Sequence, residues 1–339
     1  MKHAPWPALC LFLASPLIGE YLLGSLPASM LFLLPLMAAM YGSAAILIRE
    51  WVRRTGRGWP SIFLLAIAYG LLEEGFVTQS LFNPNYLHLR LLDYGWLPSL
   101  GTAIPWTLYV IGIHAVWSIS VPIALTEAAF PARRDAPWIK TTGFVLYSLL
   151  FIVGCTIVAT FTYKQVPFMA STAQLAATGL TIIALCAIAM RLTRRDETGR
   201  AAPAAPPSPP NPIVLFVASL VAGSLFMQVE YSAITQLHWN WMATALVQVA
   251  IVAAFVSFIV ASRIRTWSVS RYFALAAGAF VVYVWKGFET DLLLHGSGDL
   301  AGHSVIAVIG CALLAFVGIK VRAARVPGNE NPGTGPGFE

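Results

Sequence analysis

The chain has 339 residues, of which 58% are hydrophobic and only 11% charged, and its mean hydropathy is +0.73. Soluble domains carry about 25% charged residues. A soluble globular protein is therefore excluded, and the length sets a number of membrane spans rather than of soluble domains. The net charge of +6 raises the question of a nucleic-acid partner, which the placement of the basic residues answers below.

The N-terminal stretch MKHAPWPALCLFLASPLIGEYLL reads as a retained first span and not as a cleaved signal. Pro16 follows Ala14 and Ser15 where a cleavage site needs small residues, and Glu20 comes soon after. A helix needs about 20 apolar residues to cross the hydrocarbon core. Ten runs meet that need, at 6–24, 28–48, 60–82, 104–127, 141–163, 172–191, 213–233, 242–262, 272–294 and 302–320. Cys10, Cys155, Cys186 and Cys311 all fall in such runs without a CxxC. They read as small buried hydrophobes, not as a disulfide framework or a zinc knuckle.

Between the runs, 18 of the 21 basic residues fall at the two termini and in the even-to-odd connections, with Arg90, Lys164 and Lys286 elsewhere. Cytoplasmic loops hold the excess of Lys and Arg. The predicted fold is thus all-α and polytopic, with about ten transmembrane helices and both termini cytoplasmic. The same placement accounts for the pI near 9.3 without any nucleic acid.

Residues 201–212, AAPAAPPSPPNP, form a Pro/Ala linker that stays extended. It separates residues 1–200, with the first five to six spans, from 213–322, with the last four. The Gly/Pro-rich residues 323–339 read as a disordered tail. Transporters are often built from repeated halves. Here Glu74-x3-Thr78-Gln79 and Glu230-x4-Thr235-Gln236 are alike only in part, because the gaps differ.

Each ionisable side chain in mid-membrane costs about 2.5–3.5 kcal/mol on insertion scales and needs a partner, a wet cavity or a function. The set here is Glu20, Glu73, Glu74, His114, Glu230, Lys286, Glu289 and Asp291, with His238, His295, Asp299 and His303 near span ends. Placed on the topology, nearly all fall in the middle or outer half of the bilayer, which predicts a polar cavity opening outward. Glu127, at the inner end of the fourth span, reads as interfacial.

Successive helical residues are about 100° apart, so only one of Glu73 and Glu74 is expected to face His114. His114, Trp117 and Ser118 share a face of the fourth span, and Lys286, Glu289 and Thr290 are neighbours on the ninth. Pro122 is expected to kink the fourth span. The segment NPNYLHLRLLDYGWLPSLG, between the third and fourth spans, reads as an amphipathic outer-surface segment covering the cavity mouth. Its aromatics, and His238-Trp239-Asn240-Trp241, read as interface anchors.

Two close buried carboxylates can share a proton, which makes one of them a candidate general base beside a histidine. Glu73-Glu74 followed by Leu81-Phe82, His114 on the next span and His295-Gly-Ser-Gly-Asp299 resemble motifs of the CPBP superfamily of CAAX proteases and bacteriocin-processing enzymes. Thr78 stands where that family has arginine, and Val110 where it has phenylalanine. His303 is a second source for the last histidine, with Ala307 in the following motif position. The resemblance implies a glutamate-dependent intramembrane protease acting on a membrane peptide or lipid. Glu73 or Glu74 would activate water, with His114 and His303 assisting, and Glu20, Trp117, Ser118, Glu230, Lys286, Glu289, His295 and Asp299 would line the cavity.

The same residues also fit a proton- or cation-coupled transporter, or a non-catalytic scaffold whose charges pair between helices. A divalent metal on Glu73, Glu74, His114 and His303 is a variant of the protease and of the transporter. The expected setting is the lipid bilayer of a bacterial plasma membrane.

Overall fold

The computed structural model describes residues 5–192, 210–262 and 267–323. Linker residues 201–209, the tail from 324, Lys2, Arg194, Arg195, Arg200, Arg263, Arg265 and Arg325 lie outside the described residues. Ten long helical stretches coincide with the ten apolar runs. Helix α1 is Pro5–Pro16 continued by a π-helical turn, Leu17–Leu22. Then come α2 (Ala28–Arg54), α3 (Trp59–Val77), α4 (Ile104–Ala129), α5 (Thr141–Gln165), α6 (Thr172–Arg191), α7 (Pro212–Leu237) and α8 (Trp241–Ala261). The last two are α9 (Val269–His295) and α10 (Leu300–Ala323). Eight of them, α2–α8 and α10, are long and apolar enough to cross a membrane. The 27-residue α9 is set apart by its charges, yet it turns Lys286 and Asp291 inward. The protein is an all-α polytopic membrane protein.

Half or more of the apolar stretch of α2, α3 and α4 is buried, against 6–22% in α5–α8 and α10. The outer helices keep Leu, Ile, Val and Phe on their exposed sides, such as Leu180, Leu246 and Val308, because lipid solvates them. Without a hydrophobic drive between helices in lipid, close contact relies on small residues. Helix α9 buries Ala274, Ala276, Ala277 and Ala279 among its neighbours, and its Gly278 meets α7, where a Cβ would collide with the Phe216 carbonyl. Gly42 likewise lets α2 cross the backbone of α1 at Phe12.

The arginine-rich end is locked by a buried ion network. Glu127 accepts from Arg53 through Nη2 at 2.6 Å and Nε at 2.8 Å, and from Arg49 Nε at 3.2 Å. Glu50 takes Arg49 at 2.6 Å and the Trp138 backbone N–H at 2.7 Å. The Arg49 guanidinium lies 3.6 Å over the Trp138 ring. The expectation for Glu127 is therefore corrected: it is 2% exposed, because two arginines one turn apart on α2 draw it inward.

At the opposite end, residues 78–103 fold back over the bundle. They are a run of turns rather than a surface helix, with a two-residue antiparallel hairpin, β1 (Trp96–Leu97) and β2 (Thr102–Ala103). Gln79, Leu87, His88 and Arg90 all hold positive φ, which is uncommon outside glycine. The Tyr86 phenol is pushed well above its ordinary range, first by burial and then by Glu74, Glu20 and Glu73. Thr78 and Ser80, at the start of the segment, bond Glu74, so the segment packs over the acidic residues.

Five helices carry a π-helical turn, at Leu17–Leu22, Ala38–Gly42, Glu73–Val77, His114–Ser120 and Ala233–Leu237. Such turns are rare and concentrate at functional sites. The first four contain Glu20, Tyr41, the Glu73-Glu74 doublet and His114.

Candidate functional site

Those four turns meet side chain to side chain. His114 Nε2 lies 2.8 Å from Glu74 Oε1, and Nδ1 lies 3.1 Å from Glu73 Oε2 and 3.2 Å from Ser118 Oγ. Both acids therefore reach the ring, which corrects the expectation that only one of them faces it. The π turn changes the angular step between the two residues, and the imidazole presents a different nitrogen to each. Glu73, Glu74 and His114 are 2%, 5% and 5% exposed.

The remaining contacts separate the roles of the two acids. Glu74 Oε2 accepts from Thr78 Oγ1 at 2.9 Å and also from Ser80 Oγ, which in turn accepts from the Trp106 indole at 3.3 Å. With His114 on its other oxygen, Glu74 has three partners arranged for a carboxylate. Glu73 and Glu20 instead share one hydroxyl, that of Tyr41. A phenol has a single hydrogen. It donates to one of these carboxyl groups, so the other contact requires a proton on the carboxyl itself. Three acids surround one imidazole, and among the described residues no Lys or Arg pairs with any of them. Tyr41 stacks on the His114 ring and Tyr69 meets it edge-on, closing the site with aromatic surface.

The other predicted residues lie elsewhere. Trp117 is buried, but its indole donates to the Ala279 carbonyl at 2.7 Å and stacks on Tyr283, pinning α4 to α9. Lys286 pairs with Glu289 at 3.1 Å and donates to Gln228 at 3.2 Å, two residues before Glu230 on α7. His295 is exposed and bonds the Ser25 carbonyl, and Asp299 accepts the Ala28 N–H at 2.6 Å. His303 packs edge-on against Phe288 on α9 rather than joining the Glu73–Glu74–His114 group. Tyr41 was not visible in the sequence as a site residue. Its only signal is a lone phenol among small residues in AAMYGSA.

Donor atoms of Glu73, Glu74 and His114 lie within 4.8 Å of one another. An ion held by all three would have to displace an existing contact, since the ring gives each acid a different nitrogen. Hydrogen bonds join Glu20, Tyr41 and Glu73 on one side and His114, Glu74 and Ser80 on the other, and Glu73 Oε2, which has no hydrogen-bond partner among the described residues, faces His114 Nδ1 at 3.1 Å between them.

This is an integral membrane protein whose innermost helices enclose a cluster of acids around one histidine. The chain belongs to an uncharacterized membrane protein family, whose family model matches residues 9–326. No curated protein and no solved structure matches it. The match is to a family other than CPBP, which corrects the resemblance drawn from the glutamate doublet. The side chains agree with the correction: Thr78, in the arginine position, is a hydroxyl donor to Glu74, and His303 packs on Phe288 and bonds neither glutamate.

Proposed function

We propose that this protein is a proton-coupled membrane transporter, with Glu20, Tyr41, Glu73, His114 and Glu74 as the groups that take up and release the coupling proton. Chains of acids and histidines inside the bilayer mark proton relays. The Tyr41 hydroxyl between two carboxyl groups carries the reading, because that contact pair needs a bound proton even in a site closed to bulk water. A scaffold would neutralise its acids with cations, as Glu50 and Glu127 are neutralised at the arginine-rich end. A water-activating base would leave its acid facing open space, whereas Glu74 spends its oxygens on His114, Thr78 and Ser80, and the one oxygen of Glu73 without a hydrogen bond is turned to the His114 ring at 3.1 Å.

The test is a pH jump applied to proteoliposomes on a solid-supported membrane. The wild-type chain is expected to give a transient charge displacement, and Glu73→Gln to remove it. An equal displacement in Glu73→Gln, or none in the wild type, refutes the reading.

A further inference from the structure

We propose that the seam between α1, α9 and α10 is a hydrated path carrying protons from the end of the bundle opposite the arginines to Glu20. The inference rests on the reading of the cluster as a proton-exchange site and names its entrance.

Four polar atoms of α9 and α10 are buried without a hydrogen-bond partner among the described residues: both carboxylate oxygens of Asp291, His303 Nε2 and the hydroxyl of Tyr283, whose ring stacks on Trp117 of α4. Their side chains are 0%, 1% and 0% exposed. Buried polar groups are nearly always paired with protein or with ordered water, and a buried water joins about three such groups. Tyr283, Gly287 and Asp291 are successive i, i+4 positions on one face of α9. They span about 12 Å of helix.

Gly287 leaves the middle of this face bare. A Cβ there would meet the Leu22 carbonyl and, at 2.6 Å, His303 Nε2, so α1 and α10 both close on this point. Gly24, at φ +77°, seats the end of α1 against Asp291. Side chains in a helix lean toward its N-terminus, which directs the Asp291 carboxylate back toward Gly287 and the His303 ring edge. At the mouth stand His295 and Asp299. At the inner end stands Glu20, which is only partly buried while Glu73, Glu74 and His114 are sealed. Tyr21, next to Glu20, is committed to the Met30 carbonyl. The Lys286–Glu289 pair occupies the neighbouring face of α9. Water held by Asp291, His303 and Tyr283 would link the mouth to Glu20, and Tyr41 passes the proton on to Glu73.

The experiment repeats the pH jump with Asp291→Asn and His303→Gln. Each is expected to slow the rise of the charge movement by about a hundredfold, the low end of the usual effect of deleting a proton-transfer group. The total charge moved should stay unchanged. Thermal unfolding of each variant confirms that it is folded. Independently, Ala307→Cys is made in a chain whose four native cysteines are replaced. Ala307 lies one turn below His303 on α10 and is buried, so a small membrane-impermeant thiosulfonate is expected to label it only through a wet seam. Wild-type rise times in both variants, or no labelling at position 307, overturn the path. Loss of charge movement in the wild type itself would instead overturn the reading of the cluster.

Discussion

Replacing Tyr41 by Phe removes one oxygen and leaves the ring, so the stacking on His114 and the fit against Tyr69 persist. What is lost is the hydroxyl shared by Glu20 and Glu73. Tyr41 is 3% exposed, so water does not readily replace it. A hydrogen bond to a charged group contributes about 1.5–3 kcal/mol, and the carboxyl proton that pointed at the phenol oxygen loses its acceptor as well. The variant should therefore be destabilised by about 1.5–3 kcal/mol, read from denaturant titration in detergent micelles. If the same contact is the step between Glu20 and Glu73, its loss should slow charge movement after a pH jump by about ten- to a hundredfold, at 1.4 kcal/mol per factor of ten. A Tyr41→Phe variant with wild-type stability and wild-type kinetics would refute the shared-proton reasoning.

At the arginine-rich end, Glu127→Ala leaves Arg53 buried without its carboxylate and Arg49 with Glu50 alone, and should cost about 3–5 kcal/mol. Pairing it with Arg53→Met should recover part of that loss in the same unfolding assay. Ser80→Ala removes one donor from the Glu74 carboxylate and should cost about 1.5–3 kcal/mol in the same unfolding assay. Tyr86→Phe tests the cap. The folded state holds the Tyr86 proton to higher pH than the unfolded chain does, so it binds more protons above about pH 10 and stability falls as pH rises through that range. The variant should lose less stability there than the wild type does. Gly278→Val should separate α7 from α9 at a cost of about 1–3 kcal/mol, seen as a lowered melting temperature in micelles.

The helices were legible because a bilayer demands long apolar runs, and all ten appear. Their ends were less so. The second run continues to Arg54, since Arg49, Glu50 and Arg53 bury their charges in one another instead of ending the helix. The third stops at Val77, where Thr78 and Ser80 turn back to bond Glu74. The glutamate doublet was legible as the centre of the site from the cost of charge in lipid, and His114 from its depth on the next span. The joint contact of Glu73 and Glu74 with His114 was not, because an ideal helix sets neighbours about 100° apart and nothing in GLLEEGFV announces a π turn. Tyr41 was hidden for a related reason: phenols are ordinary in apolar helices, and only the fold brings this one between two acids. His303 and Asp291 were legible as buried charge, but which helix they faced depended on Gly24 and Gly287, whose role is close approach rather than chemistry.

The central claim is that a proton resides between Glu20 and Glu73 within the membrane. Infrared difference spectroscopy of the reconstituted protein reads it directly, through the C=O stretch of a protonated carboxyl group. The account predicts such a band in neutral buffer, shifted by deuterium exchange and removed or displaced in both Glu73→Gln and Glu20→Gln. A spectrum without a protonated carboxyl at neutral pH, or a band indifferent to both substitutions, would contradict it.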